Sequence, residues 1–208
     1  MRTLTATEMR EILTAARGTS LFVPTLLFLT TGLRRGELLG LMWRDLDRIT
    51  GRLSVVRALE ETRNGLRLKS PKTGRSTRVI PLPSVALDAL SQHDAAKKLE
   101  RLAAGPAYQD CGLIFPDANG CPQRRRNVTK AFAALVSKAR VPSVSIHGLR
   151  HTHVTELLRS GVHPKVVSER AGHASVAFTL QRYAHAFPDM QQDAADQTQR
   201  LVANLLNK

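Results

Sequence analysis

Cysteine is scarce in these 208 residues: Cys111 and Cys121 flank an expected turn, too few for a disulfide framework or a paired zinc knuckle. A reducing, cytoplasmic setting is the default expectation. Acidic residues are also few, 17 against 31 Lys plus Arg, and the formal charge of +14 calls for a polyanionic partner. Long apolar runs are missing too. The stretch from Leu21 to Leu33 is interrupted by Pro24, Thr25, Thr30, Thr31 and Gly32, well short of the ~20 residues a bilayer helix needs. Nucleic acid therefore fits better than membrane. Met1-Arg2 leads straight into a polar helix start, so no secretory signal is expected. With no internal repeat and no low-complexity linker, the length suits one compact unit that can bury a proper core.

What is present reads as a mixed α/β chain, mostly α-helical, with a small three-stranded antiparallel sheet. Thr5-Ala6-Thr7-Glu8 is a capping box opening a helix to about Arg17. A second, mostly buried helix runs through Leu29. Gly32 breaks it, and a third helix spans Arg35 to Leu41, which puts Arg34 at a helix start where backbone N–H groups favour an anion. From Arg52 the period shortens to that of strands: Leu53 and Val55, then Leu66 and Leu68 after the turn signal Asn64-Gly65, then Thr77 to Leu82 after Pro71-Lys72-Thr73-Gly74. Beyond Pro83 the chain reads as helical. One helix carries Leu87, Leu90, Leu99 and Leu102 and stops at Gly105-Pro106. After an extended Leu113 to Pro116 and a turn at Asp117 to Gly120, the cluster Arg124-Arg125-Arg126 with Lys130 opens another. Helices follow at Leu149 to Ser160, at Pro164 to Ala171 and before Tyr183, and Pro188 opens a final amphipathic one.

Four segments occur in a telling order: Thr31-Gly32-Leu33-Arg34-Arg35-Gly36-Glu37-Leu38, His147-Gly148-Leu149-Arg150-His151-Thr152, Gly172-His173, and Thr179-Leu180-Gln181-Arg182-Tyr183-Ala184-His185. Between the first two, Pro71-Lys72-Thr73 precedes Arg78-Val79-Ile80-Pro81-Leu82. Taken together they resemble the catalytic domain of the tyrosine recombinase, or phage integrase, family over essentially the whole chain. Any one motif would be weak, since H-x-x-R is common; five in this order are specific.

The resemblance implies roles for Arg34, Lys72, His147, Arg150, His173 and Tyr183. Arg34 and Arg150 would grip the non-bridging oxygens of a scissile phosphate, each with two donors in fixed geometry. A tyrosine has a reference pKa of about 10, so the nucleophile Tyr183 needs a proton acceptor, and His147 takes that role. His173 would donate a hydrogen bond to the phosphate and Lys72 would protonate the departing 5′ oxygen. The implied product is a 3′-phosphotyrosine link and a free 5′ hydroxyl, reversible without cofactor or metal.

Simpler readings accompany each residue. Arg34 and Glu37, three apart on a helix, suit a local ion pair; Lys72 in a polar loop suits a solvated charge; Tyr183 alone suits a half-buried aromatic. His147, His151 and His153 suggest a zinc site, but no carboxylate or cysteine close in sequence completes a shell. His185 is expected to be structural or a helix-end residue. Arg124, Arg125, Arg126 and Lys130 form either a solvated helix face or a track for phosphates. Arg57, Arg63, Arg67, Lys69, Arg75 and Arg78 around the hairpin are similar candidates, giving affinity rather than sequence choice.

The expected organisation is a catalytic domain over 1–187 and a helical tail over 188–208. The core-binding domain that the family commonly carries ahead of it has no counterpart in this sequence, so weak site selectivity and poor recombination by this chain alone are expected. The partner is double-stranded DNA, with a homotetramer on DNA and a monomer off it; the tail is expected to fold back in isolation and to exchange between subunits on DNA. An integrase of a phage or mobile element is preferred to a chromosome-dimer resolving recombinase because of the tail Ala184-His185-Ala186-Phe187-Pro188. A rival from another class is a non-catalytic DNA-binding accessory protein keeping the fold, which would have no use for Tyr183.

Overall fold

The computed structural model describes residues 2–63, 65–70, 77–184 and 190–206. Helix α1, Ala6–Ala16, begins with the expected capping box: the Glu8 N–H donates to the Thr5 hydroxyl at 3.3 Å and the Thr5 N–H to the Glu8 carboxylate at 2.9 Å. Helix α2, Phe22–Thr31, is buried along most of its length, from Val23 to Phe28 and again at Thr31. It stops at Gly32, whose φ of +65° only glycine adopts freely, and a Cβ there would lie 2.6 Å from His153 Cδ2. Helix α3, Arg35–Leu39, is shorter than expected because Gly40 caps it; a Cβ at Gly40 would lie 3.2 Å from the backbone of Ala58.

Five short strands follow: β1 Leu46–Asp47, β2 Arg52–Val55, β3 Ala58–Thr62, β4 Gly65–Lys69 and β5 Arg78–Pro81. A three-stranded antiparallel sheet is present, but its membership differs from expectation. Its order is β1-β2-β5, with Leu53 opposite Ile80, while β3 and β4 form a separate hairpin with Leu59 opposite Leu68. The stretch read as one strand from Arg52 is two. Between them Arg57 ion-pairs with Asp45, and the hairpin beyond packs on α3. Both edges of β2 are paired, by β1 and β5, so β4 does not join it and pairs with β3.

Helix α4, Ser84–Ala104, buries only its first half, through Ala86, Ala89 and Leu90, and ends at Gly105. Helix α5, Arg125–Lys138, turns Val128, Phe132, Leu135 and Val136 inward. Helix α6, Ile146–Arg159, starts three residues before the expected Leu149 because Ser145 caps it, its hydroxyl accepting the Gly148 N–H. Helices α7, Pro164–Ala171, α8, Val176–Arg182, and α9, Met190–Leu206, complete the chain. No described helix is long and apolar enough to cross a membrane. Helices α2 and α6 pack together through the centre. The buried apolar residues separate into a large cluster spanning α1 to the start of α6 and a small one of Val154, Leu158, Val167, Ala171 and Tyr183.

Candidate active site

Two helices end at left-handed glycines, α2 at Gly32 and α7 at Gly172, and their last carbonyls have no partner within their own helix. Arg150, on the second turn of α6 and 3% exposed, fills both gaps: its Nη1 donates to the Gly32 carbonyl at 2.5 Å and to the Ala171 carbonyl at 2.7 Å. A cation suits the negative ends of two helices. Burial first, then the neighbouring Arg34, pushes its pKa down to about 10, so it stays charged at neutral pH.

Arg34 caps α3 and leans the same way. Its Nη1 donates to Glu37 Oε1 at 2.8 Å and its Nη2 to the Gly172 carbonyl at 2.5 Å, so the local ion pair does form; yet 46% of the side chain remains exposed. Glu37 is the buried hub. Besides Arg34, it accepts Arg78 Nη1 at 3.1 Å and Nη2 at 2.8 Å. Burial raises the Glu37 pKa, but the hydrogen bonds and charge of Arg78, with help from Arg34, outweigh that, and the net shift is downward.

Arg78 also donates through Nε to the Arg170 carbonyl at 2.8 Å, and its side chain is 8% exposed. This corrects the expectation that Arg78 tracks phosphates from the surface: the guanidinium is tied inside the fold. A Cβ on Gly172 would lie 2.7 Å from Arg78 Nη1, so the glycine serves both the turn and the arginine. Arg170 adds a further stitch, donating to the Thr30 carbonyl at 2.8 Å.

Tyr183 follows α8 and is 2% exposed, seated among Val154, Leu158, Val167 and Ala171. His173 stacks on it, ring centroids 6.0 Å apart and planes 15° apart, and its Nδ1 lies 2.7 Å from the Thr179 hydroxyl. His147, exposed in the first turn of α6, reaches Tyr183 by way of His151: centroids are 4.7 Å apart for His147 and His151 and 5.3 Å for His151 and Tyr183. Burial, then Arg150, lowers the His147 pKa; burial, then Arg150 and Arg34, pushes that of His173 down to about 4. Both imidazoles are neutral at neutral pH. Burial raises the Tyr183 pKa while Arg150 and Arg182 pull against it. A groove of about 330 Å³, lined by Arg34, Arg35, Arg125, Ser145 and His147 among others, opens beside the cluster.

The sequence model of the phage integrase family matches residues 2–190. The chain belongs to that family. It is 32% identical to a "Tyrosine recombinase XerC-like" protein of Caldanaerobacter subterraneus over 94% of this chain and 53% of that one. It is 31% identical to the "Transposase from transposon Tn916" of Enterococcus faecalis over 77% of this chain and 41% of that one. The chain thus spans about half the length of the curated relatives it matches. Among solved structures, the Tn1549 transposon integrase in complex with transposon right end DNA superposes with a TM-score of 0.80 at 23% identity, covering 97% of this chain and 66% of that one. The catalytic domain of bacteriophage HP1 integrase gives 0.60 at 19% identity, over 95% and 94%. These structures share the phage integrase fold with this chain.

Of the six residues singled out in the sequence, Arg34, His147, Arg150, His173 and Tyr183 come together from α3, α6, the turn after α7 and the end of α8. Lys72 lies outside the described residues, as do Arg75 and His185. Arg124, Arg126 and Lys130 are exposed on α5 and its cap, and Arg125 is half-buried beside Arg35. In the hairpin, Arg67 and Lys69 pair with Glu60. His153 faces away from the tyrosine: its Nδ1–H donates to the Leu29 carbonyl at 2.8 Å. The apolar Leu201, Val202 and Leu205 of α9 are exposed, contrary to the expectation that this stripe folds back onto the chain.

The sequence reading missed the structural parts of Arg170, Thr179 and His151. Thr179 stands four residues before Tyr183, one helical turn away, and His151 four after His147; that spacing was the available signal.

Proposed function

We propose that this chain is the catalytic part of a site-specific DNA recombinase that cuts and rejoins strands through a 3′-phosphotyrosine intermediate. The observation that carries the reading is the gathering of Arg34, His147, Arg150 and His173 around Tyr183, on elements far apart in sequence. The phosphate lies between the Arg34 and Arg150 guanidinium groups, which stabilise the charge that grows on its oxygens. The Tyr183 oxygen attacks phosphorus and the bond to the 5′ oxygen breaks. The phenolic proton passes to His147, and the leaving oxygen takes a proton from Lys72.

The arriving phosphate changes the site's own balance. Burial first, then Arg150, Arg182 and Arg34, makes His147 a weak base in the free protein; an anion among the arginines offsets their share and raises its basicity. The Thr179 hydroxyl lies 2.7 Å from His173 Nδ1; in the tautomer whose Nδ1 accepts from that hydroxyl, the ring proton sits on Nε2, available to a phosphate oxygen. Because the bond energy is kept in the tyrosyl ester, a 5′ hydroxyl from a second duplex reverses the step with no cofactor.

The similarity to transposon and phage integrases favours a mobile-element role. The remaining assignments are a catalytic domain over 1–187, a tail over 188–208 whose exposed stripe docks on a neighbouring subunit of a tetramer on DNA, and a cytoplasmic site of action. Phosphate tracking falls to Arg124, Arg125, Arg126, Lys130 and Arg75.

The test incubates the chain, and Tyr183→Phe, with a pool of nicked duplexes randomised across the cleavage position, followed by a denaturing gel. A DNA-linked protein band with the wild type and none with Tyr183→Phe is expected. Salt-sensitive binding by both without a covalent band would mean an accessory binder instead.

A further inference from the structure

His151 has no part in the roles above, yet it is the ring between the proton acceptor and the nucleophile. It sits one turn after His147 on α6, edge to face with that ring at 86°, and its other side meets Tyr183. It is 6% exposed, and its Nε2 has no hydrogen-bond partner among the described residues. A buried nitrogen without a partner costs about 1–3 kcal/mol, whereas phenylalanine or leucine would fill the same space without that penalty. Such an atom calls for an explanation.

Packing alone does not supply one. Nor does a metal shell, since His153 is turned to the Leu29 carbonyl on another face of the helix. Burial first, then the neighbouring His147 and Arg182, pushes the His151 pKa down to about 4, so the ring is neutral and able both to donate and to accept a hydrogen bond. Tyr183 is seated 2% exposed and must turn its oxygen toward a phosphate held by Arg34 and Arg150.

We infer that His151 is a positioning residue for the nucleophile: its ring holds the Tyr183 phenol in reach of His147, and its Nε2 hydrogen-bonds the phenol oxygen as that oxygen turns to the phosphate. This rests on the proposed recombinase chemistry. It assigns to the second histidine of His147-Gly148-Leu149-Arg150-His151 a function apart from that of the first. Loss of the nitrogen leaves the DNA grip intact and misaligns the attacking oxygen.

The test compares His151→Phe, which keeps a ring, with His151→Gln, which restores an amide near the Nε2 position, in the 208-residue chain. Melting temperature, half-saturation by the nicked duplex pool and the single-turnover rate of covalent complex formation at saturating DNA are measured for each. Both variants should fold and bind DNA as the wild type does. The rate should fall roughly 10- to 100-fold in His151→Phe and recover most of that loss in His151→Gln. Should His151→Phe fail to fold, His151→Met serves as the nitrogen-free variant. A nitrogen-free variant that reacts at the wild-type rate, a Gln variant no faster than it, or an effect confined to half-saturation would overturn the inference. No covalent complex with the wild type would overturn the recombinase reading itself, a separate result.

Discussion

The two apolar clusters of this molecule are built differently. The large one joins α1 to α5, the strands and the start of α6 by interdigitated leucines, valines and phenylalanines, with Leu27, Leu38, Leu53 and Ile80 fully buried. The small one is five residues, one of them Tyr183. Arginine donors help hold it to the rest: Arg150 to Gly32 and Ala171, Arg34 to Gly172, Arg78 to the Arg170 carbonyl, Arg170 to Thr30. Scaffold stability and the placement of Tyr183 are thus carried by different forces. Apolar packing tolerates volume-conserving swaps, whereas a guanidinium serving two helix ends does not.

The strongest way to break the comparison is Arg150→Ala. It removes both the proposed phosphate donor and one of the links between the two clusters, so cleavage should fall by ~10²–10³ or more, and a melting curve should also drop because two buried carbonyls lose their donor. Arg150→Lys should rescue melting better than cleavage, since one ammonium cannot replace a fixed fork.

Glu37→Gln comes next. Leaving Arg78 buried without its carboxylate should cost about 3–5 kcal/mol in denaturant unfolding. The pH dependence has a definite sign. The folded pKa of Glu37 is depressed, so its contribution is present above the ordinary carboxylate pKa and is lost as pH falls through the folded value. Acid titration of stability should show that loss in the wild type and a shallower slope in Glu37→Gln.

Much of this was legible before the fold. The Thr5 capping box, the stop at Gly32 and the helix after Pro164 are local signals and appear where expected. Arg34, His147, Arg150, His173 and Tyr183 were legible from the order of short motifs. Contacts between distant residues were not. Nothing near Arg78 announces that its partner is Glu37, 41 positions away, and a basic residue beside a polar loop reads as surface. The sheet's membership differs for the same reason: alternation marks strands but does not say which strand pairs with which. The start of α6 lies three residues earlier than expected, although Ser145 carries the cap signal.

A smaller effect sharpens the division between clusters. Leu158→Ala and Leu27→Ala should each destabilise by about 2–5 kcal/mol. Only Leu158→Ala empties space beside Tyr183, so at equal fraction folded it alone should slow covalent complex formation. Smallest of all, Lys130→Ala on exposed α5 should change stability by less than about 0.5 kcal/mol. It should weaken binding to any duplex alike and reduce the salt slope by about 1.

The central claim concerns which atom joins the DNA. Digesting the covalent species with protease and sequencing the DNA-linked peptide by mass spectrometry tests it most directly. One peptide is expected, linked through Tyr183 to a 3′ phosphate, with a free 5′ hydroxyl on the other fragment. Linkage through Tyr108 or any other residue, or to a 5′ phosphate, would contradict it.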